Sequence, residues 1–493
     1  MGTGGNTLRG EGRNLFFAVQ FGLWFFAFML LESFINSNVA DLFGASMVNA
    51  AYSMGIFCTA TGLLVFGLVH AKAAAWCAKG LPAAAAVCAV ATLSIPFVQH
   101  AALLAALSCT ALLACGFVGG YVHLGIAQQF GEGPLCGRVI GAATGLAVFV
   151  QFVVQNLMQR PTLELACIPL EQACIPASLV VLVVLYVRRG GLQPEPSLRV
   201  GAKTRSWPSD SADKRRHGIY LVGAAAILTV IFTLNDSIMV ALDASGTVQL
   251  FSGVRLFYAL GLVFAGLLYD LGPRSSFTFT TVAVQIMAVL VPYFLHTPKW
   301  YTLNMAIFYF YGGFYVLFIT AEFVSFSAQM HRRALWASLG RTTRSYVAAL
   351  SVVPVALLYD SFGVIALAAA AVFLNMALLA VCVADAMLMA RYNPPESRGV
   401  ESRGVESRGS ESPGVELDDE DVENYARHLH LTEREAQVLV LLVTTEDKND
   451  KMANDLGISR RTLQRHIANV YNKAGVQSRI GLYQALATHV AQA

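Results

Sequence analysis

Two groups of side chains in this 493-residue sequence have the types and spacing to do chemistry. The first lies near the end of the chain. Arg460, Arg461, Thr462, Gln464, Arg465 and His466 crowd a segment whose Leu463, Ile467, Val470 and Ala474 recur at helical spacing. A helix over about 460–474 would bury that apolar stripe. Arg461, Gln464, Arg465 and Ala468 would then share another face, flanked by Thr462, His466, Asn469 and Lys473. Arginine can donate two hydrogen bonds to a guanine edge, and glutamine can bridge an adenine edge. Thr, His and Lys suit phosphates. The second group is Glu32, Asn36, Asp236 and Arg255, set in otherwise oily surroundings. Charges inside a bilayer are costly, so they pair or line a cavity.

Composition indicates which elements carry these groups. Hydrophobic residues are 56% of the chain and charged residues 13%, with a mean hydropathy of +0.57. Soluble domains carry about 25% charge. Most of this chain therefore cannot face water, which excludes disordered, collagen-like and disulfide-scaffold classes. The charge is uneven as well. Residues 391–493 hold 13 basic and 16 acidic side chains, a net of −3 against +6 for residues 1–390.

Apolar runs of bilayer length, about 20 residues, fall near 15–35, 47–69, 81–99, 101–126, 139–158, 173–187, 218–240, 247–269, 277–295, 301–327, 342–359 and 362–389. These are twelve candidate spans. The longest connection, 188–217, is basic and rich in Pro, Ser and Gly, and it divides the spans six and six. With the N-terminus cytoplasmic, sixteen Lys and Arg fall on cytoplasmic connections, among them Arg332, Arg333, Arg341 and Arg344. Only Arg160 and Lys299 fall outside. This bias predicts a multi-pass membrane protein with both termini in the cytoplasm. Span one carries Glu32-Ser33 and span seven Asp236-Ser237 at similar depth. Such repeat-related positions suit a central polar cavity holding a small molecule. Gln151, Gln155, Tyr309, Tyr311, Tyr315 and Glu322 are explained by hydrogen bonds between helices. Gly137, Gly141 and Gly145 form a stripe for close packing inside one chain.

After span eight come Gly266, Asp270, Gly272 and Arg274. That pattern, the six-plus-six topology and the central loop resemble the major facilitator superfamily. Leu271 stands where that family's signature has a basic residue, and the second glycine comes one position early. The resemblance implies a two-halved bundle.

Four pentapeptides beginning at Glu396, Glu401, Glu406 and Glu411, then an acidic run to Glu423, offer no core. Residues 391–424 are expected to be a flexible linker, and 425–493 a separate domain. Thr432 and Glu435 have capping-box spacing. A second helix is expected over 449–456, stopped by Gly457, and Ser459 can cap the third. A helix, a tight turn and a second helix opening on Arg-Arg would fit a major groove.

The runs Leu431-Thr-Glu-Arg-Glu435, Ala453-Asn-Asp-Leu-Gly-Ile-Ser459 and Gly475-Val-Gln-Ser-Arg479, with Thr462, His466, Asn469, Tyr471 and Lys473, are similar to the LuxR-type helix-turn-helix family. By matching position, that resemblance puts Arg461, Thr462, Gln464, Arg465 and His466 at the DNA, and Lys473 and Arg479 at its backbone. It also implies a homodimer through a fourth helix over 478–488, with Leu482, Tyr483 and Leu486 as candidate contacts.

The expected fold class is all-α: a polytopic bundle of about twelve spans and a C-terminal four-helix domain. The expected partners are double-stranded DNA, the lipid bilayer, an unidentified small molecule and a second copy of the chain. The expected function is a membrane-bound one-component transcription regulator. The alternative is a secondary transporter with a fused DNA-binding domain. No phosphate loop, nucleophile elbow, zinc motif or kinase signature occurs in the sequence, so no enzyme, cofactor or metal is expected.

Overall fold

In the computed structural model of the chain, the described residues are 4–44, 47–131, 133–158, 170–188, 211–244, 253–271, 274–294, 300–390, 419–444, 452–453, 456–474, 476, 482, 485–486 and 489. They form helices and turns, with no strand among them. Contacts divide the chain into two compact units, Met1–Ser397 and Arg398–Ala493.

Among the described residues, nine helices are long and apolar enough to cross a membrane. One of these, running from Val48 to Ser94, leaves helical geometry at Ala73, with φ −145° and ψ 60°. It is therefore two rods, α2 over 48–72 and α3 over 74–94. Gly363, with φ 69°, likewise separates α11, Arg333–Gly363, from α12, Ile365–Ala390. Two shorter apolar helices, Leu170–Arg188 (α6) and Arg274–Phe294 (α9), complete the twelve expected rods. The others are α1, Gly4–Phe43, α4, Ala101–Phe130, α5, Cys136–Met158, α7, Ser211–Ala244, and α8, Leu256–Leu271. The last, α10, Tyr301–Leu317, continues through a π turn, Phe318–Glu322, to Ser327.

One expectation needs correcting. The eleventh rod was expected from 342, but it starts at Arg333, so Arg341 and Arg344 lie inside it and are not loop cations. A hydropathy window rejects arginine, whereas a helix buried against protein can carry one. Fourteen cations then fall on the connections expected to be cytoplasmic against two on the others, and the expected bias keeps its sign.

Small residues let the first six rods meet the last six. A Cβ on Gly137 of α5 would lie 2.6 Å from Tyr269 Cβ of α8, and one on Gly266 would lie 2.5 Å from the Gly137 carbonyl. The glycine stripe thus packs inside the chain. A second seam joins α2 to α11, where a Cβ on Gly67 would lie 2.7 Å from Leu335 Cα. Within the first half, α1 packs on α4, α5 and α6. Phe97, Ile365 and Phe373 remain largely exposed, as a lipid solvent permits.

The second unit has its own apolar core. Its helices are α13, Asp419–His428, α14, Glu433–Thr444, and α15, Arg460–Ala474. The linker was expected to run to 424, yet α13 begins at Asp419. Asp419, Glu420 and Asp421 suit the positive end of a helix dipole. Val422, Tyr425 and Ala426 turn into the core. The last part of the acidic run is therefore a docked helix, and the domain starts earlier than 425. The pentapeptides lie outside the described residues.

Candidate functional site

Local capping bonds set up the C-terminal unit. Glu435 N donates to Thr432 Oγ1 at 3.4 Å, and Thr432 N donates to Glu435 Oε2 at 3.0 Å. This is the reciprocal capping box. Of the helix expected over 449–456, Met452, Ala453 and Leu456 are described; the first two are helical and buried, and Leu456 lies in the turn that follows, packed on the core. Gly457 then turns left-handed at φ 64°, and Ile458 N closes back on Ala453 O at 3.0 Å. Ser459 Oγ accepts from Thr462 N at 3.2 Å and so caps α15.

With its start and roll fixed, α15 buries Leu463 and Val470 and packs Ile467 and Ala474 on the same core. Arg461, Gln464, Arg465 and Ala468 consequently emerge together on an exposed face. Thr462 and His466 lie half-buried on the flank, and Arg460 takes the first helical position. Arg479 lies outside the described residues.

Lys473 has a different set of partners. Its ammonium donates to Glu435 Oε2 at 2.7 Å and to the His430 carbonyl at 3.0 Å, while Asn469 Nδ2 donates to Glu435 Oε1 at 3.0 Å. One carboxylate therefore caps α14 and clamps it to α15. Lys473 first, then the Thr432 N–H, hold the Glu435 carboxyl down at about 2 against the cost of burial. Sequence spacing did not reveal this clamp, because its ends are 38 residues apart. Leu482 and Leu486, expected at a dimer contact, are fully buried in the unit's own core. They lie one turn apart on the inward face, so neither offers a surface to a second copy. Tyr483 lies outside the described residues.

In the membrane unit, Glu32 of α1 lies within electrostatic reach of Arg344, Arg255, Asp236 and Arg341. Asp236 of α7 is within reach of Arg344. Glu32, Asp236 and Arg255, expected from sequence, thus converge. Asn36 shares with Glu32 and Tyr52 the lining of a recess of about 10 Å³, roughly the room one water needs. Arg255 ends the 3-10 turn Gly253–Arg255 that precedes α8, so it sits nearer its helix start than the apolar run implied. Its Nη2 donates to Gln151 Oε1 at 3.2 Å, and Gln155 Nε2 donates to Ser33 Oγ at 3.0 Å. The glutamines are interhelical ties, as expected. Tyr315 lies within electrostatic reach of Arg344 and is hydrogen-bonded at 2.7 Å to Thr229 Oγ1. Sequence reasoning missed Arg341 and Arg344. A usable signal was present, since Ser338, Arg341, Thr342 and Ser345 fall at helical spacing and are all buried.

The signature aspartate has a mechanical place. Asp270 accepts from Gly137 N at 2.9 Å and Arg138 N at 2.7 Å, and its side chain is 2% exposed. It caps the first turn of α5 from the end of α8. On another pair of rods, His217 Nδ1 of α7 lies 2.5 Å from Asp385 Oδ1 of α12.

Residues 429–486 match the family described as bacterial regulatory proteins, luxR family. The chain is also similar to the crystal structure of a Major Facilitator Superfamily transporter, FucP, in the outward conformation. That match has a TM-score of 0.53 and 11% identity over 76% of this chain and 98% of the other. A structure of a variant of the E. coli Fucose:proton symporter, FucP, covers the same shares at 12% identity with a TM-score of 0.49. The first of these structures shows the fold of the membrane unit. Among curated proteins there is no match.

Proposed function

We propose that this fusion of a luxR-family helix-turn-helix to a bundle of major facilitator fold is a membrane-bound one-component transcription regulator. The observation that carries the reading is covalent: one polypeptide holds both the exposed Arg461, Gln464 and Arg465 face and the twelve apolar rods. The bundle lies in the inner membrane with both termini cytoplasmic, and the promoter comes to it. A small molecule held near Glu32, Asn36, Asp236 and Arg255 favours one arrangement of the bundle and shifts its population. The shift alters how two copies pair on DNA.

The test is an unbiased duplex selection with residues 398–493, a compact unit with its own core. It should enrich one motif, with half-sites about one helical turn apart if two copies bind. No enrichment, even after artificial dimerisation, sinks the reading. A transporter built from the same parts would take up its ligand into proteoliposomes and lose that uptake in Asp236→Asn. Binding without net flux supports a sensor.

A further inference from the structure

Arg341 and Arg344 stand one turn apart on α11, and among the described residues neither is in a close ion pair. Arg341 is 4% exposed, with its guanidinium 4.6 Å from the centroid of the Phe25 ring. Its Nε and Nη2 have no hydrogen-bond partner among the described residues. Those two nitrogens form one edge of the guanidinium, the edge that takes a carboxylate side-on through two parallel bonds. The Phe25 ring lies against the guanidinium, and that edge is buried without a bond among the described residues. Glu32 Oε1 also lacks a partner, and Asn235, beside Asp236 and 1% exposed, has neither amide atom satisfied.

The charges converging here are Arg255, Arg341 and Arg344 against Glu32 and Asp236. Arg341 is the one of these whose guanidinium edge is buried without a bond among the described residues. The hydroxyls of Tyr52, Tyr258 and Tyr315 lie within electrostatic reach of Arg344. A buried, uncompensated guanidinium opposes stability unless something pairs with it. Ionisable side chains inside a membrane bundle mark binding sites and ion pathways.

We propose that Arg341 and Arg344 are the anion-binding part of the membrane unit, and that its ligand is a small molecule with one carboxylate or a similar monoanionic group. The assignment rests on the sensor reading above and gives that ligand its chemistry. The anion accepts from Arg341 Nε and Nη2, Arg344 balances the rest of its charge, and Glu32 and Asp236 disfavour a second negative charge.

The test uses the full chain in phosphatidylcholine nanodiscs, where no anionic lipid competes. Its thermal midpoint is followed while benzoate, benzamide or benzylammonium is added. Benzoate should raise the midpoint saturably, while the neutral and cationic isosteres do not. Arg341→Met removes the buried charge at similar length. It should raise the ligand-free midpoint and abolish the benzoate response. Arg341→Lys keeps the charge but not the two-pronged edge, and should weaken benzoate by about tenfold or more. If Arg341→Met does not assemble, Arg344→Gln carries the same benzoate comparison. The proposal is overturned by an unchanged benzoate response in Arg341→Met, by no saturable response in the parent chain, or by stabilisation with benzylammonium instead. Binding of the same nanodiscs to the selected duplex is read separately. Duplex binding without a benzoate response rejects the anion site alone, and a benzoate response without duplex binding rejects the regulator reading alone.

Discussion

Single side chains decide how α15 is held and what it touches. Glu435 titrates at about 2 in the folded unit against an ordinary value of 4.5. A depressed carboxyl stabilises the fold above its unfolded value, and the gain disappears as pH falls through the folded one. Glu435→Gln should therefore lower the melting point of the C-terminal unit at neutral pH. The gap to the parent should narrow from pH 4.5 downward and close near 2. A gap unchanged at the acid end would mean that shape, not charge, makes the clamp. On the exposed face, Arg461→Ala or Arg465→Ala should weaken the selected duplex by about 1–3 kcal/mol and leave random duplex nearly unaffected. Equal loss on both would make that arginine a phosphate contact. Lys473 differs, because two of its three donors are already used inside the domain. Lys473→Ala should therefore cost melting temperature as well as DNA affinity.

Elements were legible wherever one local rule sufficed. The roll of α15 follows from Leu463, Ile467, Val470 and Ala474, and its start from Ser459. The rods follow from apolar length. Two kinds of feature stayed hidden. Arg341 and Arg344 fall in an expected loop because hydropathy scores a side chain against lipid, whereas in α11 Arg341 is buried and Arg344 half-buried. The start of α13, residues 419–424, falls in the expected linker because its acidic composition outweighs the one apolar residue there, Val422. The partner of Asp270 was hidden as well, because it lies 133 residues away in sequence. That bond makes a prediction about two helices at once. Asp270→Ala removes the cap of α5 and orphans two N–H groups at the α5–α8 seam. It should cost about 1–2 kcal/mol, read as a lower thermal midpoint in nanodiscs. Asp270→Asn, which keeps one acceptor, should recover part of the loss. No change in either variant would make the contact incidental.

At the scale of the whole molecule, the question is what passes along the chain between α12 and α13. With α13 starting at Asp419, the connection is residues 391–418, shorter than the 391–424 expected from composition. Composition leads to the expectation of a flexible tether there, and such a chain of that length would span roughly 29 Å root-mean-square. The four pentapeptides repeat Glu, Ser and Gly with at most one apolar side chain each, which suits a tether and offers nothing for a partner to bury. A tether acts through reach alone, and reach depends on length far more than on order. Replacing residues 396–415 with a Gly/Ser spacer of equal length should therefore leave ligand-dependent expression from an operator-driven reporter unchanged. Deleting the four repeats should lower it, because the reader then searches a smaller volume around its anchor. If the equal-length replacement abolished regulation while duplex binding stayed normal, the repeats would carry the signal themselves, and coupling would run through the linker instead of through the pairing of the DNA-binding units.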